Sequence, residues 1–173
     1  MRWMWIDRIV AYEADRRMVA VKCISLAEEH LHDHFAVDAS HPAQPIMPAS
    51  LIIEGMAQTA GILVGSVHRF REKVILAKIV RAELREDAQP GDVLRYDATL
   101  DRIDGLGAST SGIVERAAAP GFAWGEIGRI DLMFSHIDQN RAGMEFPREN
   151  FVFGENFRTI LRSAGLSGLA ETG

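Results

Sequence analysis

The stretch that most limits how this chain can fold runs from Ala49 to Val67, ASLIIEGMAQTAGILVGSV. It is apolar nearly all round at helical spacing, and a helix without a polar face belongs inside something. Pro48 is suited to the first helical position, where a missing N–H costs nothing. Gly55, Ala57, Ala60, Gly61 and Gly65 are small enough to let other elements approach closely. A helix of 19 residues is also long enough to cross a bilayer. Glu54 and Gln58 interrupt it, however, and the surrounding pattern favours a helix buried in a soluble domain rather than a membrane span.

The rest of the chain supplies a wall for that helix. Residues 6–12 and 18–24 read as a hairpin around a polar turn at Ala14-Asp15-Arg16-Arg17. In its second arm Val19, Val21 and Cys23 alternate onto one face, which puts Cys23 in the core as a small side chain. Residues 25–47 carry four histidines and two prolines, a composition that argues against a long regular element. After the helix, residues 74–84, 92–104, 107–116 and 122–137 read as four strands. They are separated by turns at Gln89-Pro90-Gly91, Asp104-Gly105 and Pro120-Gly121. In the second of the four, Leu94, Tyr96, Ala98 and Leu100 share a face. Two strands, one buried helix and four strands joined by short turns predict an α+β fold, an antiparallel sheet wrapped around a long central helix. This domain is expected over residues 1–138. Residues 139–173 form a C-terminal extension with an aromatic run at Phe151-Val152-Phe153 and a short helix near 156–164.

Composition narrows the function classes. A chain of 173 residues has room for one core. A net charge of −5 argues against a general nucleic-acid or anionic-membrane footprint. One cysteine excludes an intrachain disulfide and a Cys/His zinc pattern. The opening Met1-Arg2-Trp3-Met4-Trp5-Ile6-Asp7-Arg8 is charged too early for a signal peptide, and a cytoplasmic setting is expected. His30, His32 and His34 alternate beside Asp33 and Asp38, but that spacing imposes no metal geometry; no metal and no cofactor is expected.

Glu54 is the informative residue. A carboxyl among Leu51, Ile52, Ile53 and Met56 is expensive unless paired or neutral. A carboxyl in apolar surroundings tends to hold its proton, the state a general acid needs. Gln58 lies one turn further along the same face, within hydrogen-bonding reach. The residues alone leave two readings open, a catalytic acid or a charge solvating one narrow exposed edge.

The sequence around Glu54 resembles a known family. The 3-hydroxyacyl-ACP dehydratases of the FabZ type carry a signature close to G-H-F-P-G-x-P-I-M-P-G-x-L-I-I-E-A-x-A-Q. This chain has His34-Phe35, then Pro45-Ile46-Met47-Pro48-Ala49-Ser50-Leu51-Ile52-Ile53-Glu54-Gly55-Met56-Ala57-Gln58. Trp5-Ile6-Asp7-Arg8-Ile9 and Val19-Ala20-Val21-Lys22 are similar to the family's first strands. The likeness is specific from about residue 5 to residue 65 and only architectural beyond.

The resemblance implies a hotdog fold and a set of roles. Glu54 takes the place of the helix acid, Gln58 that of the glutamine orienting it, and His34 that of the catalytic histidine. Ile46 would offer a backbone carbonyl to the histidine ring. Ala49 stands where the family has the glycine whose N–H polarises the thioester carbonyl, a role that alanine can fill. The chain departs from the family in the longer stretch between Phe35 and Pro45. That stretch brings in a rival, His41, 13 positions before Glu54 where His34 is 20 before it. His34 is preferred because phenylalanine follows it, the longer loop bulging outward. The resemblance also implies acyl carrier protein as the partner that presents the substrate. It implies a homodimer, or a trimer of dimers, because histidine and acid of one site come from different subunits. The basic residues Arg69, Arg71, Lys73, Lys78, Arg81 and Arg85 read either as a receptor for the acidic carrier or as ordinary solvated charges. Two alternatives remain, a hotdog acyl thioesterase and a non-catalytic hotdog subunit that binds acyl carrier protein or a paralogous partner.

Overall fold

The computed structural model describes residues 3–34, 36–119, 121–136 and 153–169. Phe35, Pro120, the polar segment 138–141 and residues 151–152 of the aromatic run lie outside the described residues. Strands β1 (Arg8–Glu13) and β2 (Arg17–Cys23) form a hairpin that reverses at Asp15, whose φ is 57°. A one-turn helix α1 (His30–Asp33) interrupts the irregular segment that follows. Helix α2 (Ala49–Val67) then leads to β3 (Val74–Leu84), β4 (Val93–Asp104), β5 (Gly107–Ala117) and β6 (Gly125–His136). Helix α3 (Glu155–Ser163) and a short 3-10 turn close the described chain. All strands join one antiparallel sheet in the order β1-β2-β4-β5-β6-β3.

The sheet wraps around α2 as its apolarity requires. Ile52, Met56, Ala60, Ile62, Leu63 and Val64 of the helix are all buried. Its polar interior residues are satisfied locally, Thr59 Oγ1 donating to the Gly55 carbonyl at 2.8 Å and Ser66 Oγ to that of Leu63 at 2.7 Å. Pro48 stands one position earlier than expected, at the N-cap, where its carbonyl accepts the N–H groups of Leu51 and Ile52. Gly55 lies against Tyr96 of β4, with no room for a Cβ between helix and ring.

Cross-strand register sets the inner face of the sheet. Met18, Ala20 and Lys22 lie opposite Ala98, Tyr96 and Leu94, and all six are buried. The expected phase of β2 is therefore corrected: Cys23 is exposed, and Lys22 takes the inward place beside the core. Lys22 is tolerated there because its ammonium reaches Glu28, the Cys23 carbonyl at 3.0 Å and Asp7 at 3.5 Å. Phe153, Ile160 and Leu161 belong to the same hydrophobic core, so the described part of the tail packs into the molecule.

Candidate active site

Glu54 projects from α2 on the helix's one incompletely covered strip, together with Leu51, Ile53 and Gly61. Its Oε1 accepts Gln58 Nε2–H at 3.0 Å and the indole Nε1–H of Trp3 at 3.1 Å. Gln58 is buried and is itself tied down, its Oε1 accepting the Trp5 backbone N–H at 2.9 Å and its Nε2 donating to the Trp3 carbonyl at 3.2 Å. Both residues face a cavity of about 220 Å³. Its other walls are apolar: Ala57, Gly61 and Ile62 of α2, Val74, Ile75 and Leu76 of β3, Phe134 of β6, and Phe153 and Phe157 from the tail. Phe153 is wedged between Phe70 and Phe157, with ring centroids 4.6 and 5.8 Å away. A carboxyl between a fixed amide and an apolar hollow can exchange a proton with a molecule bound there.

His34 stands at the end of α1. Its Nδ1–H donates to the Ile46 carbonyl at 2.7 Å, and since a carbonyl only accepts, the basic lone pair of the neutral ring is on Nε2. His34, Ile46 and Ala49 line a second cavity of about 460 Å³, with Met47, Ile52, Leu84, Arg85, Glu86 and Asp87. Ala49 opens α2 from an exposed position, and its N–H has no preceding helical carbonyl to bond. It has no positive φ, so the family's glycine is not required by backbone conformation at this place. The second cavity therefore brings an imidazole beside a helix N-terminus, an arrangement that could remove a proton next to a carbonyl whose oxygen gains charge.

The five preferred residues fall into two groups: Glu54 with Gln58, and His34 with Ile46 and Ala49. Within one chain they line separate cavities. His41 lines neither. Its side chain is 73% exposed in a loop tied by Asp38 Oδ1, which accepts the N–H groups of Ser40 and His41 at 2.7 and 2.8 Å. Those bonds hold the Asp38 carboxyl below the usual carboxylate range. The histidine alternation holds no metal cluster among the described residues. His30 packs edge-on against Trp5 with centroids 5.0 Å apart, and burial lowers its pKa.

The basic stretch does not form one surface. Lys73 is buried, Arg81 pairs with Glu83 at 2.7 Å, and Arg85 reaches Glu126 at 3.4 Å. Of the six, only Arg85 borders the His34 cavity. Sequence reasoning missed Trp3 and the tail phenylalanines, which meet Glu54 and its cavity from far along the chain. The polar Gln58 inside an apolar helix was the available signal that something must satisfy it.

A six-stranded antiparallel sheet closed around one buried helix is the hotdog fold. A solved structure described as the dehydratase heterocomplex ApeI:P from Xenorhabdus doucetiae superposes with a TM-score of 0.59 over 79% of this chain and 85% of that one, at 15% identity. The chain belongs to the FabA-like domain family, whose model matches residues 2–118. A 3-hydroxyacyl-[acyl-carrier-protein] dehydratase FabZ of Clostridium kluyveri is 31% identical over 142 residues, 80% of this chain and 88% of that protein. The FabZ of Pelotomaculum thermopropionicum is 36% identical over 104 residues, 60% of this chain and 70% of its own.

Proposed function

We propose that this protein is a 3-hydroxyacyl-[acyl-carrier-protein] dehydratase, removing water from 3-hydroxyacyl thioesters to give trans-2-enoyl thioesters in fatty-acid biosynthesis. The observation that carries the reading is the pairing of Glu54 with a fixed Gln58 at the edge of an apolar cavity, on the helix that the family motif covers.

In this mechanism His34 Nε2 takes a proton from C2 of the substrate, and the electron pair moves toward the thioester carbonyl. The N–H of Ala49 faces that carbonyl oxygen and stabilises the charge it gains. The pair then forms the C2–C3 double bond as the C3–O bond breaks. Glu54 delivers its proton to the departing hydroxyl, which leaves as water. The Ile46 carbonyl keeps His34 in the tautomer that leaves Nε2 basic. The preference for His34 over His41 rests on its place beside Ala49 and Ile46.

The working unit of this reading is a homodimer, in which His34 of one subunit faces Glu54 of the other. Three features support it. The two half-sites of one chain line different cavities, α2 keeps an uncovered strip along Glu54, and the edge strand β3 exposes Leu76, Ile79 and Val80. The substrate arrives on an acyl carrier protein, and Arg85 at the rim of the His34 cavity is suited to an acidic partner. A cytoplasmic setting goes with that carrier.

The test is hydration of crotonyl-CoA by the purified protein, followed as loss of enoyl absorbance. Hydration without release of free thiol is the expected result. Thiol release without hydration would replace this reading by a thioesterase. Neither reaction, from crotonyl-CoA or crotonyl-acyl carrier protein, would leave a binding subunit.

A further inference from the structure

Glu54 is held by one oxygen only. Gln58 and Trp3 both donate to Oε1, at 3.0 and 3.1 Å, and among the described residues nothing donates to Oε2. The amide of Gln58 cannot be turned over. Its oxygen accepts the Trp5 N–H and its nitrogen donates to the Trp3 carbonyl, so a flip would set oxygen against oxygen and N–H against N–H. The backbone of residues 3–5 thus dictates which end of Gln58 meets Glu54.

Trp5 anchors this segment, 6% exposed, while Trp3 is 58% exposed and stands edge-on to it with centroids 5.5 Å apart. Core packing alone does not require an indole at so open a position. What separates tryptophan from phenylalanine there is the N–H, and it points at Glu54.

We propose that Trp3 is a positioning residue of the acid half-site. Its indole N–H, with Gln58, pins Oε1 as a pure acceptor, so that Oε2 alone bears the proton of the neutral acid. This rests on the dehydratase reading of Glu54. In the elimination the proton leaves Oε2 for the C3 hydroxyl oxygen, the C3–O bond breaks and water departs. The carboxylate left behind keeps both donors on Oε1, where charge-assisted bonds stabilise it. Without the indole N–H the carboxyl can turn and exchange its oxygens, and only a fraction of molecules present the proton to the substrate.

Trp3→Phe keeps the ring and removes the donor. In crotonyl-CoA hydration kcat is expected to fall about tenfold, as for loss of one hydrogen bond to an ionised group, with KM within about twofold and the melting temperature unchanged. A kcat equal to wild type, or a loss that follows a matching fall in melting temperature, overturns the proposal. In the proton–nitrogen NMR spectrum, Glu54→Gln is expected to shift the Trp3 indole resonance, and an unmoved resonance likewise overturns it. A Glu54→Gln variant as active as wild type, or an inactive wild type, overturns the dehydratase reading and the role of Trp3 with it. A Trp3→Phe variant as active as wild type beside an inactive Glu54→Gln removes the role of Trp3 alone.

Discussion

The two halves of the site are built in opposite ways. Glu54 sits mid-helix, braced by a buried amide and walled by apolar side chains from α2, β3, β6 and the tail. His34 ends a single turn of helix, bonds the Ile46 carbonyl, and shares its cavity with Arg85, Glu86 and Asp87. The difference follows from the chemistry proposed for each. A proton donor to a leaving hydroxyl benefits from rigid, largely apolar surroundings, which a helix anchored in the core supplies. A base acting beside a thioester carbonyl needs the unbonded N–H groups of a helix start, and those lie at an exposed end. One chain can offer both because the same helix carries the acid along its side and the N–H at its tip.

The largest effects should come from removing either half. Glu54→Gln and His34→Ala are each expected to lower crotonyl-CoA hydration by about 10²–10⁴-fold with little change in stability. Two losses of similar size would mean that halves built so differently carry comparable shares of one reaction. If only Glu54→Gln is damaging, another group takes the proton from C2.

Mixing the two inactive variants sharpens the comparison. If each site is completed by the other subunit, a mixed dimer of Glu54→Gln and His34→Ala holds one intact site and one doubly damaged one. After unfolding and refolding an equal mixture, about a quarter of wild-type activity should return, since half the dimers are mixed and each has one of two sites. No recovery, in a mixture shown by mass spectrometry to contain mixed dimers, would place both residues of a site in one chain.

A third variant touches only the rigid half. Gly55 neighbours Glu54, and a Cβ there would run into the Tyr96 ring, whose hydroxyl is buried and has no hydrogen-bond partner among the described residues. Overpacking costs about 1–3 kcal/mol, and a Cβ overlapping the fully buried Tyr96 ring falls in the upper part of that range, about 2–3 kcal/mol, offset by about 1 kcal/mol from alanine's better helix propensity. Gly55→Ala is therefore expected to lose about 1–2 kcal/mol in chemical denaturation. Tyr96→Phe in the same chain should recover part of it by removing the colliding oxygen. A Gly55→Ala protein as stable as wild type would mean that the helix shifts freely over β4, contrary to the rigidity ascribed to the acid half.

The same contrast explains what could be read from the sequence. Helix α2 was legible to within about three residues because its cause is local, a proline at its start and apolar side chains on nearly every face. The four later strands were legible to within about three residues, since Pro90, Gly91, Gly105 and Gly121 mark their ends. The phase of β2 was not legible. Val19-Val21-Cys23 looks like the inner set, yet Lys22 is buried instead because Glu28 and Asp7, placed by other elements, neutralise it. Glu54 and Gln58 announced themselves as polar residues in an apolar helix. Trp3, 51 positions from Glu54, carried no local mark of its contact.

The smallest effect separates the two histidines. His41 stands in the lengthened loop, its ring 73% exposed and bonded to Ser40 Oγ at 2.8 Å, and it borders neither cavity. Its loop is organised by Asp38, which accepts the backbone N–H groups of Ser40 and His41 and the Ser40 hydroxyl; a change of side chain at residue 41 removes the ring's 3.4 Å contact with Asp38 but leaves those three bonds in place. An insertion turned outward in this way costs little in closure entropy and leaves the chain on either side where it was. His41→Ala should accordingly keep kcat and KM within about twofold of wild type, the usual range for an exposed substitution away from a site. A loss under His41→Ala as deep as that under His34→Ala would mean that the loop folds inward over bound substrate. The base half would then be assembled only when substrate is present, whereas the acid half stands ready beforehand.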